Sequence, residues 1–168
     1  MKEVYFAGGC FWGTEHYIKQ INGVISTEVG YANGNTDNPI YEEVYTDTTG
    51  YAECVKVVYD PSVITLKYLV ELFFRTIDPL SLNRQGNDCG TRYRTGVYYV
   101  DSDDISVIES VFKAVESAVG EPLVVEFESL KNFYPAEEYH QAYLDKNPNG
   151  YCHLPIELMI MARLANKK

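Results

Sequence analysis

Val4-Tyr5-Phe6-Ala7-Gly8-Gly9-Cys10-Phe11-Trp12-Gly13-Thr14-Glu15-His16 is the stretch around which the chain is organised. The β-rich run Val4–Ala7 feeds two glycines and a cysteine. Tyr17, Ile18 and Ile21 then fall on one face of an amphipathic run, so Cys10 is expected where a strand turns into a helix. Free backbone N–H groups and the positive end of the helix dipole favour a thiolate at such a place. The Cys10 pKa is therefore predicted to fall from about 8.5 into the range of roughly 3.5 to 7.5. The plainer reading makes Cys10 a small hydrophobe at a tight turn, with Phe11 and Trp12 as core. The paired glycines and adjacent aromatics favour the reactive thiol.

Outward from there, Ser26–Tyr31 reads as a short strand, and Asn33 to Pro39 is a dense run of turn formers, an exposed loop leading to Tyr41. Glu53–Tyr59 is a strand closed by Asp60-Pro61. Strand side chains alternate, so Glu53 shares the apolar face of Val55, Val57 and Tyr59, while Cys54 turns to the other with Lys56 and Val58. Leu66, Leu69, Val70, Phe73, Phe74 and Ile77 recur at helical spacing. Residues 80–94 form a long loop of the kind that carries function. Val97–Val100 is a strand, and Asp101–Asp104 supply acidic caps for a helix that ends at Gly120. Residues 123–128 read as another strand. A short helix is expected to begin near Pro135 and carry Tyr139, His140 and Tyr143, ahead of a turn-rich tail that delivers Cys152. Long irregular connections interrupt any doubly wound pattern, so the expected class is α+β, a two-layer plait with a mixed or antiparallel sheet.

The length of 168 residues, without repeat or linker, points to one domain over residues 1–168. A net charge of -10 argues against nucleic acid or an anionic membrane surface as partner. The start has no basic region followed by a long apolar stretch, and no window approaches the roughly eighteen apolar residues of a membrane span, so a cytoplasmic protein is expected. Cysteines stand at 10, 54, 89 and 152. Structural disulfides among them do not suit a reducing compartment, and a zinc site would have to be assembled from Cys10, Cys152, His140 and His153 without any C-x-x-C pair. Thiol chemistry is the better reading, and neither metal nor cofactor is expected.

Gly9-Cys10-Phe11-Trp12-Gly13 resembles the signature of the peptide methionine sulfoxide reductase A family. The likeness continues through Gly50-Tyr51-Ala52-Glu53, Arg84-Gln85-Gly86-Asn87-Asp88, His140-Gln141 and Asn147-Pro148-Asn149-Gly150-Tyr151-Cys152. These blocks run in order over nearly the whole chain. The resemblance implies a ferredoxin-like core with extra strands and a long coiled C-terminal segment. It implies reduction of the S epimer of methionine sulfoxide, free or in proteins, with thioredoxin as final reductant; the chain is expected to act as a monomer.

That chemistry needs a soft nucleophile, proton donors for the departing oxygen, an apolar slot for the S-methyl group and a second thiol. Cys10 is the candidate nucleophile, and Phe11 and Trp12 would wall the slot. By resemblance, Glu53 is the acid, Tyr41 and Tyr93 hold the oxygen, Asp88 orders neighbouring polar groups and Cys152 resolves the sulfenic acid as a disulfide. Alternation supports Glu53 independently, since burial on an apolar face raises a carboxyl pKa. His140 reads as a structural donor. Three departures from the family pattern stand out. No cysteine follows Cys152, so no third relay thiol is expected; Tyr51 stands where the family often has histidine; and Cys89 adjoins Asp88, which leaves it as a rival resolving thiol. Other readings of the residues are a cysteine peroxidase and a non-catalytic module that grips methionine with aromatics.

Overall fold

The computed structural model describes residues 1–166. Val4–Ala7 lies in strand β1 (Lys2–Gly8), and helix α1 (Phe11–Ile18) starts directly after Cys10. β1 pairs antiparallel with β3 (Ala52–Tyr59) on one side and β6 (Thr95–Tyr99) on the other, and β2 (Val24–Ala32) pairs antiparallel with β3. Edge strand β7 (Glu126–Ser129) runs parallel to β6, and edge strand β8 (Phe133–Pro135) antiparallel to β2. Among the described residues this makes a six-stranded mixed sheet of order β7-β6-β1-β3-β2-β8, beside a small hairpin of β4 (Arg84–Gln85) and β5 (Asp88–Cys89). The fold is mixed α/β.

Alternation sorts the two faces. Val4, Phe6, Val29, Tyr31, Val55, Val57 and Val97 share one core with residues of α1, α3 (Leu66–Phe74), α4 (Ile105–Val119) and α6 (Ile156–Leu164). Tyr5, Ala7, Ala32, Ala52, Cys54 and Tyr98 form the opposite face, with Leu130 and Phe133 packed on it. Those last two residues explain the shape of the sheet. The chain passes from edge strand β7 to the opposite edge strand β8 between Ser129 and Phe133, a span of at most about 14 Å for an extended chain. The edges of a flat six-stranded sheet would lie roughly 24 Å apart. The sheet must curl, and the alanines on its inner face leave room for it to do so.

Local signals set the helix ends. The Thr65 hydroxyl accepts a hydrogen bond from the Tyr68 N–H at the start of α3, and Gly120, in the left-handed region at φ 76°, ends α4. Two sequence expectations need correction. The helix foreseen from Pro135 is instead β8, a 3-10 turn at Glu138–His140 and a short α5 (Tyr143–Lys146), because Phe133 and Tyr134 pair with the exposed edge of β2. The coiled C-terminal tail contains α6, a nine-residue helix of good helix formers. The turn-rich loop does lead to Tyr41, where a helical turn begins, α2 (Tyr41–Tyr45), and the Ile40 N–H before it donates to Glu43 Oε1 at 3.1 Å.

Phe73 joins α3 to the strand that carries the functional turn. It is 1% exposed, its ring stacks on Phe6 at 4.7 Å between centroids, and it meets Phe74 edge-on. Phe73→Ala should lower unfolding free energy by about 3 to 5 kcal/mol, read from urea denaturation, through lost burial and the cavity left behind. A loss below about 1 kcal/mol would show that the core closes over the gap.

Candidate active site

The turn into α1 depends on two glycines. Gly9 takes φ 88°, a conformation that side chains rarely adopt, and a Cβ on Gly8 would come within 2.9 Å of the Phe73 ring. Thr14 Oγ1 donates back toward the carbonyls of Gly8 and Cys10, at 3.2 and 3.3 Å, closing the first helical turn. Cys10 sits at the helix start, as its sequence predicts, and is 6% exposed. The predicted fall of its pKa is not what the structure gives. Burial pushes the thiol well above its ordinary value and the Glu53 and Asp88 carboxylates add to the rise, while the backbone N–H groups of Trp12 and Gly13 offset only part of it. The helix terminus is present, but desolvation and negative neighbours outweigh it.

Glu53 comes from β3, opposite Tyr31 of β2 and on the same face as Val55 and Val57, as alternation requires. It is 2% exposed, and its Oε1 accepts the Phe11 N–H at 3.1 Å. Burial raises its pKa from 4.5 to about 8; the Phe11 N–H and the Arg92 cation pull the other way. At neutral pH this carboxyl carries a proton.

Cys10, Phe11, Trp12, Tyr41, Glu53, Asp88, Tyr93 and Tyr151 line one cavity of about 60 Å³. Tyr41 stands at the start of α2, where its N–H donates to Glu137 Oε2 at 2.9 Å. Tyr93 ends a 3-10 turn at Thr91–Tyr93. Burial pushes the Tyr41 phenol up to about 12 and that of Tyr93 higher, so both are proton donors at neutral pH. Trp12 stacks on Tyr143 at 3.7 Å between ring centroids and donates its indole N–H to Nδ1 of His140 at 2.9 Å. His140 is therefore an acceptor that fixes the tryptophan, where the sequence reading made it a donor.

Two residues escaped that reading. The Tyr151 hydroxyl donates to Asp88 Oδ2 at 3.0 Å, which ties the C-terminal segment to the hairpin. The available signal was its place next to Cys152 in a recognised block. Arg92 is buried, pairs with Asp47 at 2.6 Å and lies between the rings of Tyr45 and Tyr93, at 4.3 and 4.4 Å from their centroids. Nothing in its local sequence distinguished it from a loop cation.

The four cysteines are free thiols in very different places. Cys54 is buried on the opposite face of the sheet. Cys89 is exposed and paired with Arg84 in the hairpin, and its side chain turns away from that of Asp88. Cys152 lies against α1: a Cβ on Gly13 would meet its Sγ at 3.1 Å and Nδ1 of His153 at 2.8 Å. Gly13 is three residues on from Cys10 and so on the same face of the helix. A second cleft, of about 390 Å³, opens beside Cys152 between α1, α5 and α6.

Sulfur chemistry with a proton donor close by is what this arrangement is equipped to perform, which makes the class a thiol-based oxidoreductase. The family model for peptide methionine sulfoxide reductase matches residues 2–168, and the chain belongs to that family. A peptide methionine sulfoxide reductase MsrA from Clostridium acetobutylicum is 55% identical over 159 residues, covering 95% of this chain and 98% of its own. The solved structure of Mxr1 from Saccharomyces cerevisiae in reduced form is similar with a TM-score of 0.85 and 42% identity, over 90% of this chain and 88% of that one. Mxr1 in complex with Trx2 gives a TM-score of 0.60 and 28% identity, over 84% of each chain.

The raised Glu53 pKa has a consequence for stability. Between pH 4.5 and about 8 the folded protein keeps a proton that the unfolded chain has released, so stability falls as pH rises across that window and levels off above it. Chemical denaturation at about pH 5 and about pH 9 should show the parent losing on the order of 4 kcal/mol more than Glu53→Gln, at about 1.4 kcal/mol per pH unit. Equal losses in both proteins would mean that the carboxyl is ionised throughout.

Proposed function

We propose that the chain reduces the S epimer of methionine sulfoxide, free or within proteins, through a Cys10 sulfenic acid and a Cys10–Cys152 disulfide, with thioredoxin as the final reductant. The observation that carries the reading is a buried, protonated Glu53 sharing one small cavity with the Cys10 thiol and the Tyr41 and Tyr93 hydroxyls. The yeast relative solved in complex with Trx2 supports the reductant. We read residues 1–168 as one domain acting as a cytoplasmic monomer. We read the β6-β1-β3-β2 centre of the sheet, with α1 and α3 on one face, as a ferredoxin-like plait extended by β7 and β8.

In this mechanism the S-methyl group lies against Phe11 and Trp12, while the sulfoxide oxygen accepts hydrogen bonds from Tyr41 and Tyr93. Asp88, tied to Tyr151, orders the polar groups at the rim. Cys10 attacks the sulfoxide sulfur as Glu53 protonates the oxygen, which offsets the negative charge developing there. Methionine leaves, the oxygen ends on Cys10 as the sulfenic acid, and the proton lost by the Cys10 thiol restores Glu53. Cys152 then displaces water from the sulfenic acid to form the disulfide. A fixed acid and a fixed apolar wall accept the methyl and the oxygen of one epimer only.

Cys10→Ser should abolish reduction while the fold survives, because a hydroxyl is a far weaker nucleophile toward sulfur. Glu53→Gln keeps a hydrogen-bond donor without an acidic proton, so kcat should fall by about 100- to 10,000-fold with a much smaller change in KM. The parent rate should decline above about pH 8 as Glu53 ionises. Parent-like turnover in the Gln variant would reduce Glu53 to a structural role.

Without reductant, Cys152→Ser should release about one methionine per enzyme from excess methionine sulfoxide and retain a sulfenic acid on Cys10, identified by mass spectrometry. Addition of thioredoxin should then give poor turnover. A Cys10–Cys89 disulfide with near-normal turnover would transfer the resolving role to Cys89. Turnover driven by peroxide rather than by methionine sulfoxide would identify a peroxidase instead.

A further inference from the structure

We propose that the bare apolar stripe of α6, together with the cleft beside Cys152, is the docking surface for a thioredoxin-type dithiol protein; this rests on the catalytic cycle proposed above. α6 buries Met159 and Ala162 against the body of the protein, yet Ile156, Ile160 and Leu164 on its other side are 69%, 48% and 63% exposed. Spaced four residues apart, they lie along one face of the helix. A helix that is apolar on both sides is ordinarily covered on both, and a contiguous exposed apolar stripe marks an interaction surface.

The stripe runs into the cleft. Ile156 belongs to both, and the cleft holds Cys152, with Leu154 and Met159 as apolar lining and His16 and Arg163 as polar lining. This continuity identifies the occupant. Cys10 is 6% exposed, whereas Cys152 is half-buried and faces the cleft, so a nucleophile arriving from solvent reaches the Cys152 sulfur first.

The exchange balances. One thiolate of the partner bonds to Cys152 Sγ, the Cys10–Cys152 bond breaks, and Cys10 leaves with the electron pair and takes a proton. The partner's second thiolate then attacks its own mixed disulfide and releases Cys152 as a thiol. Two electrons and two protons have passed to this chain, and the partner departs as a disulfide. A small dithiol needs only the cleft, but a protein must also rest on the surface around it, and the α6 stripe borders that opening.

Ile160 and Leu164 lie on the stripe without lining the cleft, which separates docking from chemistry. The test uses the full chain carrying Ile160→Glu or Leu164→Glu, with methionine formation driven either by dithiothreitol or by thioredoxin. The dithiothreitol rate should match the parent in both variants, while the KM for thioredoxin rises about tenfold or more. Ile160→Leu should keep the parent KM. An unchanged thioredoxin KM in both Glu variants would overturn the proposal, and so would equal losses with the two reductants, since the stripe would then serve the fold. If sedimentation shows a parent dimer that Ile160→Glu dissociates while the thioredoxin KM stays unchanged, the stripe belongs to a second copy of this chain. A parent that forms no methionine with either reductant defeats the catalytic cycle itself, a result distinct from a loss confined to thioredoxin.

Discussion

The 3.1 Å hydrogen bond from the Phe11 N–H to Glu53 Oε1 is the contact on which the site depends. It joins the first residue of α1 to the middle of the sheet, and in doing so fixes the position of Cys10 just before the helix and of Phe11 and Trp12 just inside it. A carboxyl placed there cannot be solvated, and a single backbone donor does not compensate for that. Its proton is retained because burial outweighs both the Phe11 N–H and the Arg92 cation. The same burial that makes Glu53 an acid also keeps Cys10 from being a standing thiolate. Two neutral groups are cheaper to enclose than two charges, and on the proposed cycle the charge separates only when a sulfoxide is present to accept the proton.

Around that contact the aromatic residues form a connected frame. His140 accepts from Trp12 and lies 5.1 Å from Phe11 and 4.7 Å from Tyr41 between ring centroids, so one histidine braces three walls of the cavity. The segment carrying it is itself secured. Glu15, buried in α1, accepts from the Ala142 N–H at 2.9 Å, and Gln141 bonds both the N–H and the carbonyl of Val29. These ties hold the region after β8 against both the helix and the edge of the sheet, which is how residues so far from Cys10 in sequence reach its cavity.

What was legible in the sequence was local. Two glycines before a cysteine specify a strand-to-helix turn through backbone geometry, and alternation over Glu53–Tyr59 is enough to aim a carboxyl inward. The ionisation state of Cys10 was not legible, because it is set first by burial of the thiol and then by acidic side chains from β3 and β5, none of which local sequence registers. The strand at Phe133–Pro135 was missed for a related reason. Its pairing is imposed by the open edge of β2 and by the curl of the sheet, and Pro135 in isolation reads as a helix start. α6 was missed because residues apolar on every side give no periodic signal when one face is left uncovered.

The two openings around the cysteines divide the work. The cavity at Cys10 has room for a group of only a few heavy atoms, so on the proposed reading it admits the methylsulfinyl head of a methionine and makes little contact with the chain that carries it. On that reading, selection falls on the oxidised sulfur and its handedness rather than on the surrounding peptide. Cys152 opens instead onto the larger cleft, reached over α6. Tyr151 stands between the two, bonded to Asp88 in the small cavity and adjacent in the chain to the thiol that faces the other. On the proposed cycle, substrate and reductant therefore approach through separate volumes, one beside each cysteine.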